Sequence, residues 1–389
     1  MNSPTAKAKK TPSFFDIFDD NSLDLFIRII LTVALLYFFL VGVKSLESSI
    51  KLMGSGFAKG LFDLTANPIL SLFAGMMATI LMQSSSVTTS IIVGLVSSGT
   101  LTIGGAVPMI MGANLGTSVT NTLVSLGYFN NRLNFKRAFA AATIHDSFNI
   151  LSVLVIFPIE MATGFLEKSA TWLATALYGT MAGVKYSSPI KASIKPLVAN
   201  LKGFVTNTLA LEGNWSGIAL MVISVAIILV ALASIVRIMD VLVESNKGEI
   251  LNNILTKSSW LTILFGVGIT IAVQSSSITT SLLVPFAGTG ILSLRVIFPV
   301  TIGANIGTTA TALLAAMAGN VFGLSIALVH LFFNLAGILV WYPNKKMRNV
   351  PLAMSTKLAE LTEKSRKWAF VYVGSMFFLI PGVLIFFFR

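Results

Sequence analysis

Two long segments without charge are the feature of this sequence that most limits its fold. Asp, Glu, Lys and Arg are all absent between Leu64 and Asn131, and Arg295 is the only such residue between Ser258 and Asn344. Helices built from these segments have no charged face for water, whereas about 20 apolar helical residues cross a bilayer core of roughly 30 Å. Only 11% of the 389 residues are charged, against roughly 25% in soluble domains. The sequence therefore predicts an all-α polytopic membrane protein.

The net charge of +12 lies mainly beside the apolar segments. Basic residues cluster at 7–10, 345–348 and 364–367. Lys and Arg beside membrane spans set orientation and meet anionic lipid, so this charge does not indicate a nucleic-acid partner. The clearest apolar spans are Leu25–Val43, Ser216–Val236, Val321–Tyr342 and Trp368–Phe388. We expect the first span to be retained rather than cleaved as a signal peptide, with the N-terminus in the cytoplasm.

Three ordered motifs occur twice. The first is Gln83-Ser84-Ser85-Ser86, which returns 191 residues later as Gln274-Ser275-Ser276-Ser277. The second, Gly112–Thr117, returns at the same offset as Gly303–Thr308 with the pattern Gly-Ala-Asn-x-Gly-Thr. The third is His-x-x-x-Asn, at His145 and Asn149 and again 185 residues later at His330 and Asn334. The order and spacing of these motifs indicate an internal duplication.

The duplication predicts two inverted repeats with broken or re-entrant helices. Repeats of opposite orientation place the basic segment near residue 350 on the same side as the N-terminus, and the number of spans stays open. The predicted units are 1–22, a cytoplasmic N-terminal segment; 23–161, the first transmembrane repeat; 162–214, an extracytoplasmic linker; 215–343, the second repeat; 344–366, a basic cytoplasmic loop; and 367–389, an additional C-terminal transmembrane helix.

The Gln-Ser-Ser-Ser motifs are candidate binding segments. Consecutive serine hydroxyls compete for backbone hydrogen bonds and favour a helix end, and irregular backbone at membrane depth lines protein or water. A helix that restarts there offers N–H groups to an anion, while hydroxyls and carbonyls suit a small cation. Close packing of helices in lipid is the alternative explanation for such serines. Their repetition in both halves favours binding, with the Gly-Ala-Asn-x-Gly-Thr segments as the second wall of the site.

The third motif carries a carboxylate within an apolar helix. Asp146 follows Arg137 by nine residues, about 13.5 Å along a helix, so it is expected near the middle of the bilayer. Ionisable groups at that depth usually mark an ion path, and the matching residue of the second half is Leu331. His145 and His330 fit either hydrogen bonding between helices or ion binding.

No catalytic set, phosphate-binding loop of a nucleotide-driven pump or transition-metal spacing occurs in the sequence. We therefore predict neither an enzyme nor a cofactor, and expect an ion gradient to supply the energy.

The motifs, together with 135–140 and 145–149, resemble the type II sodium–phosphate cotransporters over about 25–388. The resemblance implies a bacterial member in the inner membrane that imports phosphate with sodium, and the carboxylate at Asp146 implies electrogenic transport. It also implies that the Gln-Ser-Ser-Ser segments form the substrate region, with Asn149, Thr308 and Thr311 as sodium ligands. The predicted phosphate site is Gln83, Ser84, Ser85, Ser86, Gln274, Ser275, Ser276 and Ser277. The predicted sodium ligands are Asn114, Thr117, Asp146, Asn149, Asn305, Thr308 and Thr311, supported by His145, His330 and Asn334.

Three other functions remain open from the residues themselves. Helix ends and hydroxyls also suit another oxyanion or a small carboxylate as the sodium-coupled substrate. Two symmetric pore loops would instead make an ion channel, which conducts without concentrating its substrate. An intramembrane hydrolase that uses a serine is the weakest of the three. The sequence does not set the oligomeric state.

Overall fold

The computed structural model describes residues 25–52, 67–97, 99, 101–177, 189–244, 258–316 and 320–388. These residues are almost entirely helical, and no strand occurs among them. The prediction of an all-α protein is confirmed.

The first half, with the segment that follows it, contains helices α1 (Leu25–Leu52), α2 (Pro68–Met82), α3 (Ser85–Ser97), α4 (Ile103–Leu115), α5 (Val119–Ser125), α6 (Arg132–Thr163), α7 (Phe165–Leu177) and α8 (Pro189–Gly203). The remainder contains α9 (Gly213–Glu244), α10 (Ser259–Val273), α11 (Ser276–Gly288), α12 (Leu294–Ala316), α13 (Val321–Trp341), α14 (Lys345–Lys364), α15 (Lys367–Gly374) and α16 (Ile380–Phe388).

Four helices of the described chain are long and apolar enough to cross a membrane. They are Arg132–Thr163, Leu294–Leu313, Val321–Trp341 and Lys367–Phe387. Most residues of the first three are buried inside the protein, whereas few residues of the last are buried. Helices α6, α12 and α13 therefore form the interior, and the C-terminal helix presents an apolar surface outward.

The spans expected at Val321–Tyr342 and Trp368–Phe388 are confirmed as helices of sufficient length. Those expected at Leu25–Val43 and Ser216–Val236 lie within α1 and α9, which pack against each other. Among their described residues, the apolar stretches found are Ile30–Gly42 and Asn214–Ile228, and the crossing of the membrane by these two helices stays a prediction.

Both Gln-Ser-Ser-Ser motifs break a helix, as the serines predict. Gln83 ends α2 with φ 50° and ψ 27°, and Gln274 ends α10 with φ 53° and ψ 35°. This left-handed conformation is unfavourable for a residue other than glycine, so it stops helix propagation. The helix then restarts within two residues, at Ser85 and at Ser276. The two halves thus have the same local structure at matching positions, while the inverted relation between them remains a prediction.

Glycine lets pairs of helices meet at their backbones. A Cβ added at Gly112 in α4 would overlap the carbonyl oxygen of Leu72 in α2. In the second half a Cβ at Gly303 in α12 would overlap the carbonyl oxygen of Ile263 in α10. Small residues at such crossings give the close van der Waals packing that stabilises helix pairs in lipid. The first glycine of each Gly-Ala-Asn-x-Gly-Thr segment therefore serves packing.

The two halves interlock around the breaks. Helix α3, which follows the first break, packs against α12 and α13 of the second half. Helix α11, which follows the second break, packs against α5 and α6 of the first half. Each restarted helix therefore lies on the histidine-bearing helix of the opposite half, and polar residues from both halves meet between them.

Two segments described as connections in the sequence contain helices of their own. The linker 162–214 contains helices α7 and α8, and the basic loop 344–366 is helical from Lys345 to Lys364. In α14 a stripe of small residues, Pro351, Ser355 and Ala359, is buried at intervals of four residues. Because these residues are only weakly apolar, the sequence pattern does not indicate that this face of α14 is buried. The side of the membrane on which either segment lies stays a prediction.

Candidate functional site

The first break is tied to the helix beyond α4 by the side chain of Gln83. Its Oε1 accepts a hydrogen bond from Thr120 Oγ1 at 2.8 Å, and its Nε2 donates to the carbonyl oxygen of Ile80 at 2.6 Å. Thr120 belongs to α5, the helix that follows the first Gly-Ala-Asn-x-Gly-Thr segment. The break and that segment therefore lie together, as expected for two walls of one site.

The serines of the motifs divide into two kinds. Ser84 Oγ accepts from the backbone N–H of Val87 at 3.3 Å, and Ser275 Oγ accepts from that of Ile278 at 3.4 Å. These two hydroxyls cap α3 and α11, a role that serine performs commonly and that the sequence pattern alone does not distinguish from binding. The other serines are buried in the first turns of the two helices, where the helix dipole is positive. They are Ser85, Ser86, Ser276 and Ser277.

Asn121 joins the first half to α11, the helix that begins in the second motif, and was missed in the sequence. Its Oδ1 accepts from Thr280 Oγ1 at 3.0 Å and from Ser281 Oγ at 2.8 Å, and the side chain is fully buried. Since Thr120 contacts Gln83, two consecutive residues of α5 link the first break to α11, the helix that restarts at the second break. The only signal in the sequence is an amide within an uncharged segment. The residue 191 positions later is Ala312, so comparison of the repeats gives no support for it.

The histidines form reciprocal pairs between the halves. His145 Nε2 lies 2.7 Å from Asn305 Oδ1, and His330 Nε2 lies 3.2 Å from Asn114 Oδ1. An amide oxygen only accepts, so Nε2 of each ring is the donor. Ser118 Oγ lies 2.6 Å from His145 Nδ1, within hydrogen-bond distance of the other ring nitrogen. The geometry supports hydrogen bonding between helices, one of the two interpretations of the histidines.

Three of the predicted site residues meet in one buried asparagine cluster. Asn305 Nδ2 donates to Asn149 Oδ1 at 3.1 Å, and Asn334 Nδ2 donates to the carbonyl oxygen of Asn305 at 3.3 Å. All three side chains are buried. The structure thus brings together Asn149 from the first half with Asn305 and Asn334 from the second, in support of a shared site.

Asp146 takes part in a different set of contacts. Its Oδ2 accepts from the hydroxyl of Tyr372 at 2.8 Å, and the residue is 2% exposed. Among the described residues, Asp146 Oδ1 has no hydrogen-bond partner. Tyr372 belongs to the additional C-terminal helix, and nothing in the sequence links it to a carboxylate 226 residues earlier. This contact gives the C-terminal helix a direct connection to the polar interior.

The predicted threonine ligands show matching geometry. Thr117 Oγ1 donates to the carbonyl oxygen of Ala113 at 3.2 Å, and Thr308 Oγ1 donates to that of Ala304 at 3.1 Å. Because each hydroxyl uses its hydrogen within its own helix, its oxygen lone pairs remain for a cation. Thr311 is half-buried. In the part of the chain that the structure describes, no three His, Asp or Glu side chains form a metal-ligand group.

A comparison with a family model and a comparison with known proteins agree with each other. The sequence model of the family described as Na+/Pi-cotransporter matches residues 38–237 and 227–356. Human sodium-dependent phosphate transport protein 2B is 34% identical over 444 residues, which cover 91% of this chain and 64% of the human protein. Sheep sodium-dependent phosphate transport protein 2A is 34% identical over 431 residues, covering 92% of this chain and 67% of that protein. The chain thus spans about two thirds of the length of these relatives. No solved structure matches it significantly.

Proposed function

Since the chain belongs to the Na+/Pi-cotransporter family, we propose that it is a sodium-coupled symporter that imports inorganic phosphate. Its relatives are named as sodium-dependent phosphate transport proteins. The observation that carries the proposal is the polar link formed by Thr120 and Asn121, which connects Gln83 at the first break to Thr280 and Ser281 of α11, the helix that restarts at the second break. A site assembled from both halves is suited to alternating access, because movement of one half against the other opens it to each side in turn.

Phosphate binds at the restarted helices in this proposal. The first turns of α3 and α11 carry backbone N–H groups and the positive end of the helix dipole, both of which stabilise an anion. The buried hydroxyls of Ser85, Ser86, Ser276 and Ser277 add neutral donors without adding fixed charge. The two breaks around the anion are shaped by Gln83, Gln274, Ser84 and Ser275. Neutral donors leave charge compensation to the bound sodium ions.

Sodium binds to oxygens of the Gly-Ala-Asn-x-Gly-Thr and His-x-x-x-Asn segments. Side-chain amide and hydroxyl oxygens are ligands suited to a hard cation, and the proposed ligands are Asn114, Thr117, Asp146, Asn149, Asn305, Thr308 and Thr311. The pairs of His145 with Asn305 and of His330 with Asn114 hold amides of one half on helices of the other. Binding at these oxygens is therefore coupled to the packing of the two halves, and Asn334 supports the same cluster.

Asp146 makes the transport electrogenic in this proposal. A carboxylate within the membrane supplies a charged ligand for one further sodium ion, and the cycle moves net charge because the sodium ions then carry more charge than the phosphate. Each elementary charge that crosses 100 mV supplies about 2.3 kcal/mol for uphill import of the anion. The proposed location is a bacterial inner membrane with the N-terminus in the cytoplasm.

Uptake of radiolabelled phosphate into proteoliposomes tests the proposal. An inward sodium gradient is compared with an equal potassium gradient, and sulfate or small carboxylates are added as competitors. We expect phosphate to accumulate above equilibrium only with sodium, faster with a negative interior, and an Asp146→Ala variant to lose that voltage dependence. Equilibration without accumulation would favour a channel, and uptake of a competing oxyanion in place of phosphate would refute the named substrate.

A further inference from the structure

A cavity of about 430 Å³ lies where the first turns of three helices meet. Its lining includes Ser259, the first residue of α10; Arg295, the second residue of α12; and Lys345, the first residue of α14. The dipole is positive at the start of a helix, although the side chains of Ser258 and Asn344 already cap α10 and α14. Three such helix ends around one cavity create a positive potential.

Basic side chains strengthen this potential. Arg295, Lys345 and Arg348 all line the cavity, and no carboxylate is among its described lining residues. Arg348 is held in place, because its Nε donates to the carbonyl oxygen of Tyr342 at 2.8 Å and its guanidinium lies 4.0 Å from the centre of that ring. The side chains of Arg295 and Lys345 are exposed. A neighbouring cavity that also includes Arg295 contains Lys357 and Glu360, whose opposite charges offset each other.

The chemistry of the cavity fits a phosphate group. A phosphate carries several acceptor oxygens and a formal negative charge, and it is bound well by guanidinium and ammonium groups together with helix N-termini. Ser259 and Asn349, which also line the cavity, add neutral polar groups. Three cations, with none of the acidic residues that a cation site needs, exclude a metal ion as the occupant of this space.

The surroundings of the cavity place it at the membrane surface. Trp260, adjacent to Ser259, is 59% exposed and its ring contacts that of Tyr342 edge-on at 6.1 Å. Leu261 and Leu264 follow on the same helix and are also exposed, which gives α10 an apolar outer face. Tryptophan concentrates at the level of lipid headgroups, with apolar residues toward the hydrocarbon. These neighbours favour a position of the cavity beside lipid, at headgroup depth.

We propose that this cavity is a binding site for the phosphate group of an anionic phospholipid. It is separate from the proposed transport site, because Gln274 lies at the opposite end of α10, which has 15 residues and is about 22 Å long. Basic pockets between membrane helices are suited to such headgroups. A free phosphate ion offers the same chemistry, so the test must distinguish these two sources.

Binding of short-chain lipids to the full chain in neutral detergent tests the site. The probes are dioctanoyl phosphatidylglycerol, dioctanoyl phosphatidylcholine, inorganic phosphate and sulfate. The cavity variant is the double substitution Arg295→Gln with Lys345→Gln. Its matched control is Lys346→Gln with Lys364→Gln, which removes the same charge from exposed residues that do not line the cavity. Arg348 is kept because it also holds the backbone at Tyr342.

We expect phosphatidylglycerol to bind the unmodified protein more tightly than phosphatidylcholine. The cavity variant should weaken that binding on the order of 25-fold, at about fivefold for each cation removed, and the control less than about twofold. Weakened inorganic phosphate binding in the cavity variant alone, with lipid binding unchanged, would identify free phosphate as the ligand and overturn the lipid assignment. Equal weakening in both variants, or no weakening in either, would overturn the site itself.

Discussion

Replacement of Asn121 with alanine is expected to weaken the connection between the two halves. The substitution removes the oxygen that accepts hydrogen bonds from Thr280 at 3.0 Å and from Ser281 at 2.8 Å. Hydrogen bonds between membrane helices contribute about 0.6 kcal/mol on average and up to about 1.7 kcal/mol. Thr280 Oγ1 also donates to the carbonyl oxygen of Ser276 at 2.8 Å, so Thr280 keeps a hydrogen-bond partner in the variant. Most of the lost hydrogen-bond energy therefore comes from the contact of Ser281 with Asn121. We expect the free energy of unfolding to fall by about 1–3 kcal/mol.

A double-mutant cycle isolates this contact. Asn121→Ala is combined with Ser281→Ala, and the apparent free energy of unfolding is measured by SDS titration in mixed micelles. We expect a coupling of about 0.5–1.5 kcal/mol between the two substitutions. Ser325→Ala is the control partner, because Ser325 Oγ donates to the carbonyl oxygen of Val321 within its own helix at 2.9 Å. Additivity in the Asn121–Ser281 cycle, or equal coupling to Ser325, would refute the bridge.

Three further substitutions probe other contacts of the fold. Gly112→Ala should lower the free energy of unfolding by about 1–3 kcal/mol, because the added Cβ meets a backbone carbonyl. Gly94 has open space around it, so Gly94→Ala should not lower the free energy of unfolding. Equal effects of the two substitutions in thermal unfolding would contradict this expectation. Tyr372→Phe removes the hydroxyl that bonds the carboxylate of α6, so the sodium dependence of uptake should change while folding is retained; unchanged dependence would assign the hydroxyl to packing alone. Lys136→Met breaks a partly exposed ion pair with Glu363 at 2.7 Å and should lower the free energy of unfolding by less than about 1 kcal/mol. SDS titration measures this change, and a larger loss would contradict the expectation.

Local features of the fold followed directly from the sequence. The helix breaks at Gln83 and Gln274 were predicted because consecutive serines near an apolar run favour a helix end, and both residues adopt the left-handed conformation. The all-α class followed from the uncharged segments. These predictions depend on neighbouring residues only, so a single sequence contains the information needed for them.

Contacts between distant segments were not predictable in the same way. Asn121 and Tyr372 find their partners 159–160 and 226 residues away, and the internal duplication offered no matching residue for Asn121. The helical stripe in α14 was missed because Ser355 packs through a hydroxyl that donates to the carbonyl oxygen of Ala140 at 2.6 Å, rather than through apolar bulk. Specific polar pairing of this kind is set by three-dimensional packing and not by composition.

Sodium-driven phosphate uptake by paired serine variants tests most directly whether the two motifs form one site. Ser86→Ala and Ser277→Ala replace matching hydroxyls of the two halves, and Ser325→Ala is a buried control outside both motifs. We expect each motif variant to raise the KM for phosphate about tenfold, which corresponds to about 1.4 kcal/mol, and the control to leave it unchanged. An unchanged KM in either motif variant, with folded protein in the membrane, would contradict a shared phosphate site.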